Sequence, residues 1–230
     1  MSQLYDLTAH TVRWIYDRRI ATPPTLDEEV YFPEAISFAE NWRAIRDEAL
    51  TVANALSSVP RFHELMQAQA PISDNDGRDW RVFVLRAYGI DIAPNLQRCP
   101  VTAALVSRCP SVLSASFSFL EPGKHIPRHR GPFRGIVRCH VGLSMPRDEN
   151  GWPGAILWID GVEHRLDDGD FLVWDDTYPH EVLNSTGDLR VALLLDIWRQ
   201  GMPVDMSALS WLICTAVRLG LRLQPSRFGG

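Results

Sequence analysis

Several function classes leave no mark in this sequence. Its four cysteines, Cys99, Cys109, Cys139 and Cys214, keep no CxxC spacing of the zinc-site kind. They are also too sparse to form a disulfide framework in 230 residues, so they read as reduced thiols in a cytoplasmic protein. Residues 1–20 contain neither an apolar run nor a cleavage pattern of the secretory type. No window offers the roughly 18 uncharged apolar residues that cross a membrane. The nearest, 208–221, is interrupted by Arg218 and reads as an amphipathic helix packed on its own sheet, with membrane contact neither required nor excluded. Positive charge is not in excess: 28 acidic against 23 basic residues give a net charge of −5, which argues against general nucleic-acid binding but leaves room for a local basic pocket. Internal repeats and low-complexity tracts are absent as well.

What is present suits one soluble domain spanning 1–230, with 46% hydrophobic and 22% charged residues. Apolar positions at Leu4, Leu7, Val12, Ile15 and Tyr16 follow a loose helical period, and 21–33 is a turn-rich connector. Phe38, Trp42, Ile45, Ala49, Val52 and Leu56 predict one long helix of about six turns. A polar loop at 73–79 precedes a strand, WRVFVL, and a short helix is expected at Thr102–Ser107 between two Cys-Pro steps. After Pro110 the texture changes. Short runs at 113–120, 136–144, 155–160, 170–174 and 190–198 are punctuated by Gly and Pro clusters, which is the pattern of a β-sandwich or barrel. The expected organisation is a helical or mixed part (1–109), a β core (110–200) and a C-terminal helical tail (201–230).

The chemistry concentrates in HIPRHRGPFRGIVRCHVG, residues 125–142, which holds three histidines and four arginines. Strand alternation puts Arg138, His140, Gly142 and Ser144 on one face and Val137, Cys139, Val141 and Leu143 on the other. The apolar face suits a core, so Arg138 and His140 must line something polar. WDDTYPHEV places His180 after a turn at the start of the next strand, and Arg190 opens the last long strand with Leu194 and Asp196 on its face. A histidine on a strand is more often a hydrogen-bonded core residue than a ligand, and Arg128, Arg130 or Arg134 in a Gly/Pro loop is usually solvated. His10, His63, His125 and His164 are taken as structural or surface residues. The spacing from His125 to His129 would suit one helix face, but Pro127 makes that helix improbable.

The order is what stands out. A histidine, a strand, a second histidine after a turn and an arginine ten residues later is the layout of iron(II)/2-oxoglutarate dioxygenases. Neutral imidazoles suit Fe(II), and an arginine fork matches a carboxylate. The segments FSFLEPGKHIPRHRGP, VRCHVGL, GDFLVWDDTYPHEVLN and LRVALLLDIWR, with RDWRVFVL at 78–85, resemble the aspartyl/asparaginyl β-hydroxylase family, which includes lipid A acyl-chain hydroxylases. The resemblance spans about residues 30–200. It implies a double-stranded β-helix (jelly-roll, cupin-like) supported by helices, and Fe(II), 2-oxoglutarate and O2 as cofactor and cosubstrates. It assigns His129 and His180 as the metal ligands, and Arg190 with Ser118 to the distal carboxylate of 2-oxoglutarate. Trp80, Arg138 and His140 fall around the cosubstrate and the adjoining substrate, with Arg138 in a catalytic role. Trp80 has a second reading as plain core, and Ser118 as a backbone cap.

The wider superfamily completes two histidines with an HxD or HxE carboxylate. Here the pair position is His129-Arg130-Gly131, with no carboxylate, an absence the family shares. Water is expected in that position. Halide could occupy it in a halogenase, the rival reading, and a non-oxygenase cupin-like binding protein or isomerase is a further alternative. An Arg-x-Arg pair that grips an acidic substrate in animal members has Ile136 in its first place here, and Gly135-x-x-Arg138-x-His140 is closer to the bacterial branch. The expected substrate is nonetheless an aspartyl or asparaginyl unit of a peptide or small metabolite, recognised by its carboxylate or amide, with a lipid A acyl chain as the alternative.

Overall fold

The computed structural model describes residues 2–223, with side chains from residue 7 onward. Two antiparallel sheets face each other. The larger has six strands in the order β2-β1-β3-β10-β5-β8, built from β1 (Trp80–Ala87), β2 (Ile90–Asp91), β3 (Val112–Leu120), β5 (Ile136–Ser144), β8 (Phe171–Trp174) and β10 (Arg190–Trp198). The smaller has four, in the order β4-β9-β6-β7, from β4 (His125–His129), β6 (Ala155–Ile159), β7 (Val162–Arg165) and β9 (His180–Asn184). This is the expected double-stranded β-helix. Strand β1 lies within the part assigned to the N-terminal region, yet it pairs with β3 from Trp80↔Leu120 to Arg86↔Ala115.

Alternation sorts the side chains as expected. Val137, Cys139, Val141 and Leu143 of β5, with Val191, Leu193, Leu195 and Ile197 of β10, join the outer core under the helices. That core is completed by Phe38 of α3 (Ala35–Glu40) and by Ile45, Ala49 and Val52 of α4 (Trp42–Ala53), and by Phe32 just after α2 (Glu28–Tyr31). Trp80, Val82, Leu120 and Trp174 of the large sheet meet Ile126, Leu157, Ile159 and Val182 of the small one in the space between the sheets. A third cluster closes one end. There Tyr16 of α1 (Ser2–Asp17) and Met206 and Cys214 of α9 (Val204–Arg222) pack on Phe133 and Ile136.

Four expectations need correction. The single long helix is broken at Asn41, whose side-chain amide donates to the Ser37 carbonyl at 2.8 Å, a local bond that competes with helix continuation. Residues 125–129 form a strand rather than a loop, and Pro127 is tolerated because β4 is an edge strand with a register shift between Ile126 and His129. Arg134 is buried and not solvated: it pairs with Asp175 at 3.0 Å and donates to the Ile20 carbonyl at 2.9 Å. Helix α9 is not amphipathic in the usual sense. It is long and apolar enough to cross a membrane by length and composition, and only 17% of its most apolar window is buried. The remaining short helices, α5 (Phe62–Leu65), α6 (Ala70–Ser73), α7 (Ala93–Gln97) and α8 (Pro100–Arg108), contain the helix expected at Thr102–Ser107; Leu4 lies outside the described side chains.

Candidate active site

The two histidines meet across the small sheet. His129 ends β4, His180 begins β9, and the two are direct partners in the β4–β9 register. Their ring centroids lie 4.0 Å apart. Each ring is oriented by the carbonyl two residues upstream: Nδ1–H of His129 donates to Pro127 at 2.8 Å, and that of His180 to Tyr178 at 2.9 Å. In both, Nε2 then carries the lone pair, the tautomer a metal takes. Burial pushes the pKa of His129 down to about 4, with Arg138 adding to the effect, and burial and the His129 ring push His180 well below the usual value. Both imidazoles are therefore neutral at pH 7, with no proton to displace before a divalent cation binds.

The turn before His180 is held from below. Thr177 donates from its amide (3.1 Å) and its hydroxyl (2.6 Å) to Asp175 Oδ1, while Arg134 and Arg199 both engage Asp175 Oδ2. Asp175, Arg134 and Arg199 are buried, so this ion cluster fixes the turn instead of serving a solvent-facing site.

The absent carboxylate at Gly131 has a spatial counterpart. A Cβ added to Gly131 would lie 2.2 Å from Asp176 Oδ1 and 2.4 Å from its Cγ. The carboxylate of Asp176 thus fills the space where a side chain at 131 would start, and the Gly131 amide donates to the Asp176 carbonyl at 2.7 Å. Asp176 Oδ1 is buried without a hydrogen-bond partner, and burial raises the pKa of this acid to about 6. An orphaned acceptor here suits a donor such as water on a cation held by the two imidazoles. Among the described residues, no group of three His, Cys, Asp or Glu side chains converges as a metal set. The donor set is two neutral imidazoles with a carboxylate set back from them, which fits Fe(II) with several positions open.

Arg138 shares this cavity, but its charge is already matched. It lies 2.8 Å from Asp196 and 3.4 Å from Asp176. Burial works against the cation, and the two carboxylates overcome that and raise its pKa. Asp196 is Arg138's direct register partner across β10 and β5.

Arg190 is the opposite case. It is 2% exposed, and no carboxylate among the described residues forms an ion pair with it. Its Nη1 donates to Ser118 Oγ at 3.3 Å, its Nη2 donates to His140 Nε2, and its Nε has no partner. Burial alone lowers its pKa to about 9. Burial, Arg190 and Arg138 together hold His140 neutral. Trp80 stacks on Phe62 at 3.8 Å and donates its indole N–H to Ser118 Oγ at 3.1 Å, so it is both core and part of this group. A buried cation without an anion is a site for one, and the planar fork suits a carboxylate.

The residues expected from the sequence fall into two groups. His129, His180, Arg138 and Trp80 line a cavity of about 470 Å3 together with Asp176 and Asp196. His140 and Arg190 line a separate void of about 10 Å3 with Leu157, Val182 and His164, room for about one water. Most of the large cavity's wall is apolar: Ala9 and Val12 of α1, Phe62, Met66, Val82, Leu194, and Ile213, Val217 and Leu221 of α9. The sequence reading missed Asp176 and Arg199, gave Asp196 a place on the face of Arg190 but no role, and read Arg134 as solvated. The Asp doublet in WDDTYPHEV was the available signal for the first.

Residues 39–200 match the family model of aspartyl/asparaginyl β-hydroxylases. Among curated proteins, an ornithine lipid ester-linked acyl 2-hydroxylase of Rhizobium tropici is 35% identical over 77% of this chain and 61% of its own length. The human aspartyl/asparaginyl β-hydroxylase is 25% identical over 77% of this chain and 23% of its own length. The chain therefore spans less than two thirds of either relative. A solved prolyl-4-hydroxylase of Pseudomonas putida overlays 71% of this chain and 88% of its own with a TM-score of 0.43 and 20% identity.

Proposed function

The chain belongs to the aspartyl/asparaginyl β-hydroxylase family, and on that premise we propose that it hydroxylates an unactivated C–H bond of a lipid acyl chain with Fe(II), 2-oxoglutarate and O2. The single observation that carries the substrate reading is the cavity: about 470 Å3, apolar over most of its wall, with the two imidazoles in its lining. An aspartyl or asparaginyl unit would need an unpaired donor to grip it. Arg138, the side chain expected to do so, is neutralised by Asp196 and Asp176. Apolar wall and spent cation together favour an acyl chain. The acyl-hydroxylase name of the Rhizobium relative agrees with this reading.

His129 and His180 would hold the iron through Nε2. Asp176 Oδ1 would accept a hydrogen bond from water on the metal, in the position a halogenase reserves for halide. When bound, iron supplies the reduction of O2, coupled to decarboxylation of 2-oxoglutarate to succinate and CO2. Arg190 and Ser118 would receive the distal carboxylate; for that, Arg190 must give up its contact with His140 and its void of about 10 Å3 must open to the histidine cavity. Arg138, locked by Asp196 and Asp176, would leave no free cation at the metal end of the cavity to hold an acidic substrate. The apolar wall aims a methylene at the reaction centre and keeps water out.

The test is succinate release from anaerobically iron-loaded protein, with lipid A, ornithine lipid, free Asp and Asn, and Asp- and Asn-containing peptides in parallel. Stimulation by an acyl lipid with a product one oxygen heavier is expected. Stimulation by Asp or Asn compounds alone would overturn the substrate reading. His129→Ala and His180→Ala should each lose iron and turnover, and full activity in either would overturn the ligand assignment.

A further inference from the structure

Helix α9 is apolar on two opposite faces. Its inner face buries Met206, Ser210 and Cys214, and Ile213, Val217 and Leu221 line the large cavity. Its outer face presents Ala208, Trp211, Leu212, Ala216, Leu219 and Leu223, spaced i, i+3, i+4, i+8, i+11 and i+15, and all six are exposed. Trp211 and Leu219 remain 58% and 57% exposed. A helix lying on a soluble protein normally turns polar side chains outward. Here the outward stripe carries one charge between Val204 and Leu219, Asp205 in the first turn, and that carboxylate is paired with Arg19.

The helix is docked as well as exposed. The Tyr16 hydroxyl lies 2.6 Å from Ser210 Oγ, Arg218 donates to the Tyr88 carbonyl, and Arg19 pairs with Asp205 at 2.8 Å. Gly135 permits the close approach, since a Cβ there would lie 2.2 Å from Ser210 Oγ. A helix tied down along its length cannot cross a bilayer while docked; it can lie in one. Beside it, α1 leaves Leu7 and Trp14 more than half exposed, with the Arg18 guanidinium 3.7 Å above the Trp14 ring. Both helices also supply the cavity wall.

We propose that the outer face of α9, with Leu7 and Trp14 of α1, seats the protein on an anionic phospholipid bilayer, which delivers the chain to the cavity between the two helices. Charge selects this partner over a second copy. Residues 2–19 and 204–223 hold five arginines against three aspartates, while the whole chain carries −5. Two such faces would repel each other, and an anionic headgroup layer would attract either. Exposed tryptophans with arginines at the margin are the composition of an interfacial helix. The inference extends the acyl-chain reading, but its test uses no turnover, so the two can fail separately.

The experiment is co-sedimentation of the full chain with phosphatidylcholine vesicles and with vesicles containing phosphatidylglycerol, beside the double variant Trp211→Glu, Leu219→Glu. Neither residue lines the cavity. The wild type should bind the anionic vesicles, with a blue-shifted tryptophan emission and weaker binding in high salt. The variant should bind roughly tenfold less or worse, with an unchanged melting transition. A milder Trp211→Ser variant, expected to bind at an intermediate level, serves if the double variant melts early. Absence of wild-type binding, or equal binding by the folded variants, overturns the proposal. So does a wild-type dimer in solution that the variants dissociate, which would assign the face to a second copy.

Discussion

Consider replacing Arg190 by methionine, which keeps most of the side chain's length and removes its charge. In the apo protein that charge is buried, lacks a carboxylate and leaves Nε without a partner. The drop of its pKa from 12.5 to about 9 corresponds to roughly 5 kcal/mol against the charged form. That is an upper figure, because buried charges in proteins recover part of the penalty by relaxation, and swaps of buried ions for apolar side chains typically gain about 1–4 kcal/mol. Methionine also strips His140 Nε2 and Ser118 Oγ of a donor, costing about 1 kcal/mol each. The balance runs from about −1 to +2 kcal/mol, which keeps Tm within a few degrees of wild type for a domain of this size. Differential scanning fluorimetry with and without 2-oxoglutarate reads both halves of the argument. Wild type should rise with 2-oxoglutarate; Arg190→Met should start within a few degrees of it and not respond. A variant that melts well below wild type, or that keeps the full 2-oxoglutarate shift, would refute the assignment of Arg190 as an anion receptor.

Three further outcomes follow from the same geometry. Gly131→Ala drives a methyl group into the Asp176 carboxylate, so it should cost about 1–3 kcal/mol of stability and weaken Fe(II) retention, read by thermal unfolding and metal analysis after dialysis; Gly131→Asp should lower activity further. Asp76 is held by the buried Lys124 at 2.6 Å, and although burial opposes its charge, Lys124 and two backbone amides bring its pKa below 3.8. Its contribution is present above the unfolded value and is lost as pH falls through the folded one, so acid unfolding below about pH 4 should be shallower in Asp76→Asn. Val217→Trp intrudes on the cavity from α9, so turnover of long acyl chains should fall roughly tenfold relative to short ones, with iron content unchanged.

The β core was legible because its signal is local. Alternation in 136–144 and 190–198 places Arg138, His140 and Arg190 on the inner face without knowledge of any partner strand. The breaks were less legible. Asn41 interrupts a helix through one side-chain bond to Ser37, and Pro127 passes in β4 only because that strand happens to be an edge. Pairings between distant segments were not legible at all. That Asp196 neutralises Arg138 depends on the register of β10 against β5, 58 residues apart, and that Arg134 is buried depends on Asp175 arriving beneath it from another turn.

The vacancy at Gly131 shows how the two levels combine. In the sequence it is an absence, open to water or to halide alike. In the structure a carboxylate from a different turn stands in that space, with one oxygen buried and unsatisfied. At pH 7 an acid with a pKa of about 6 is mostly ionised, and a halide beside it would meet like charge in a medium that screens poorly. Water meets an acceptor instead. Glycine at 131 is then required to admit the Asp176 carboxylate, while its main-chain amide ties the same two turns together through the Asp176 carbonyl. The side chain missing just after β4 is the condition for the acid supplied by the turn before β9, and that exchange favours oxygen transfer over halogen transfer at this site.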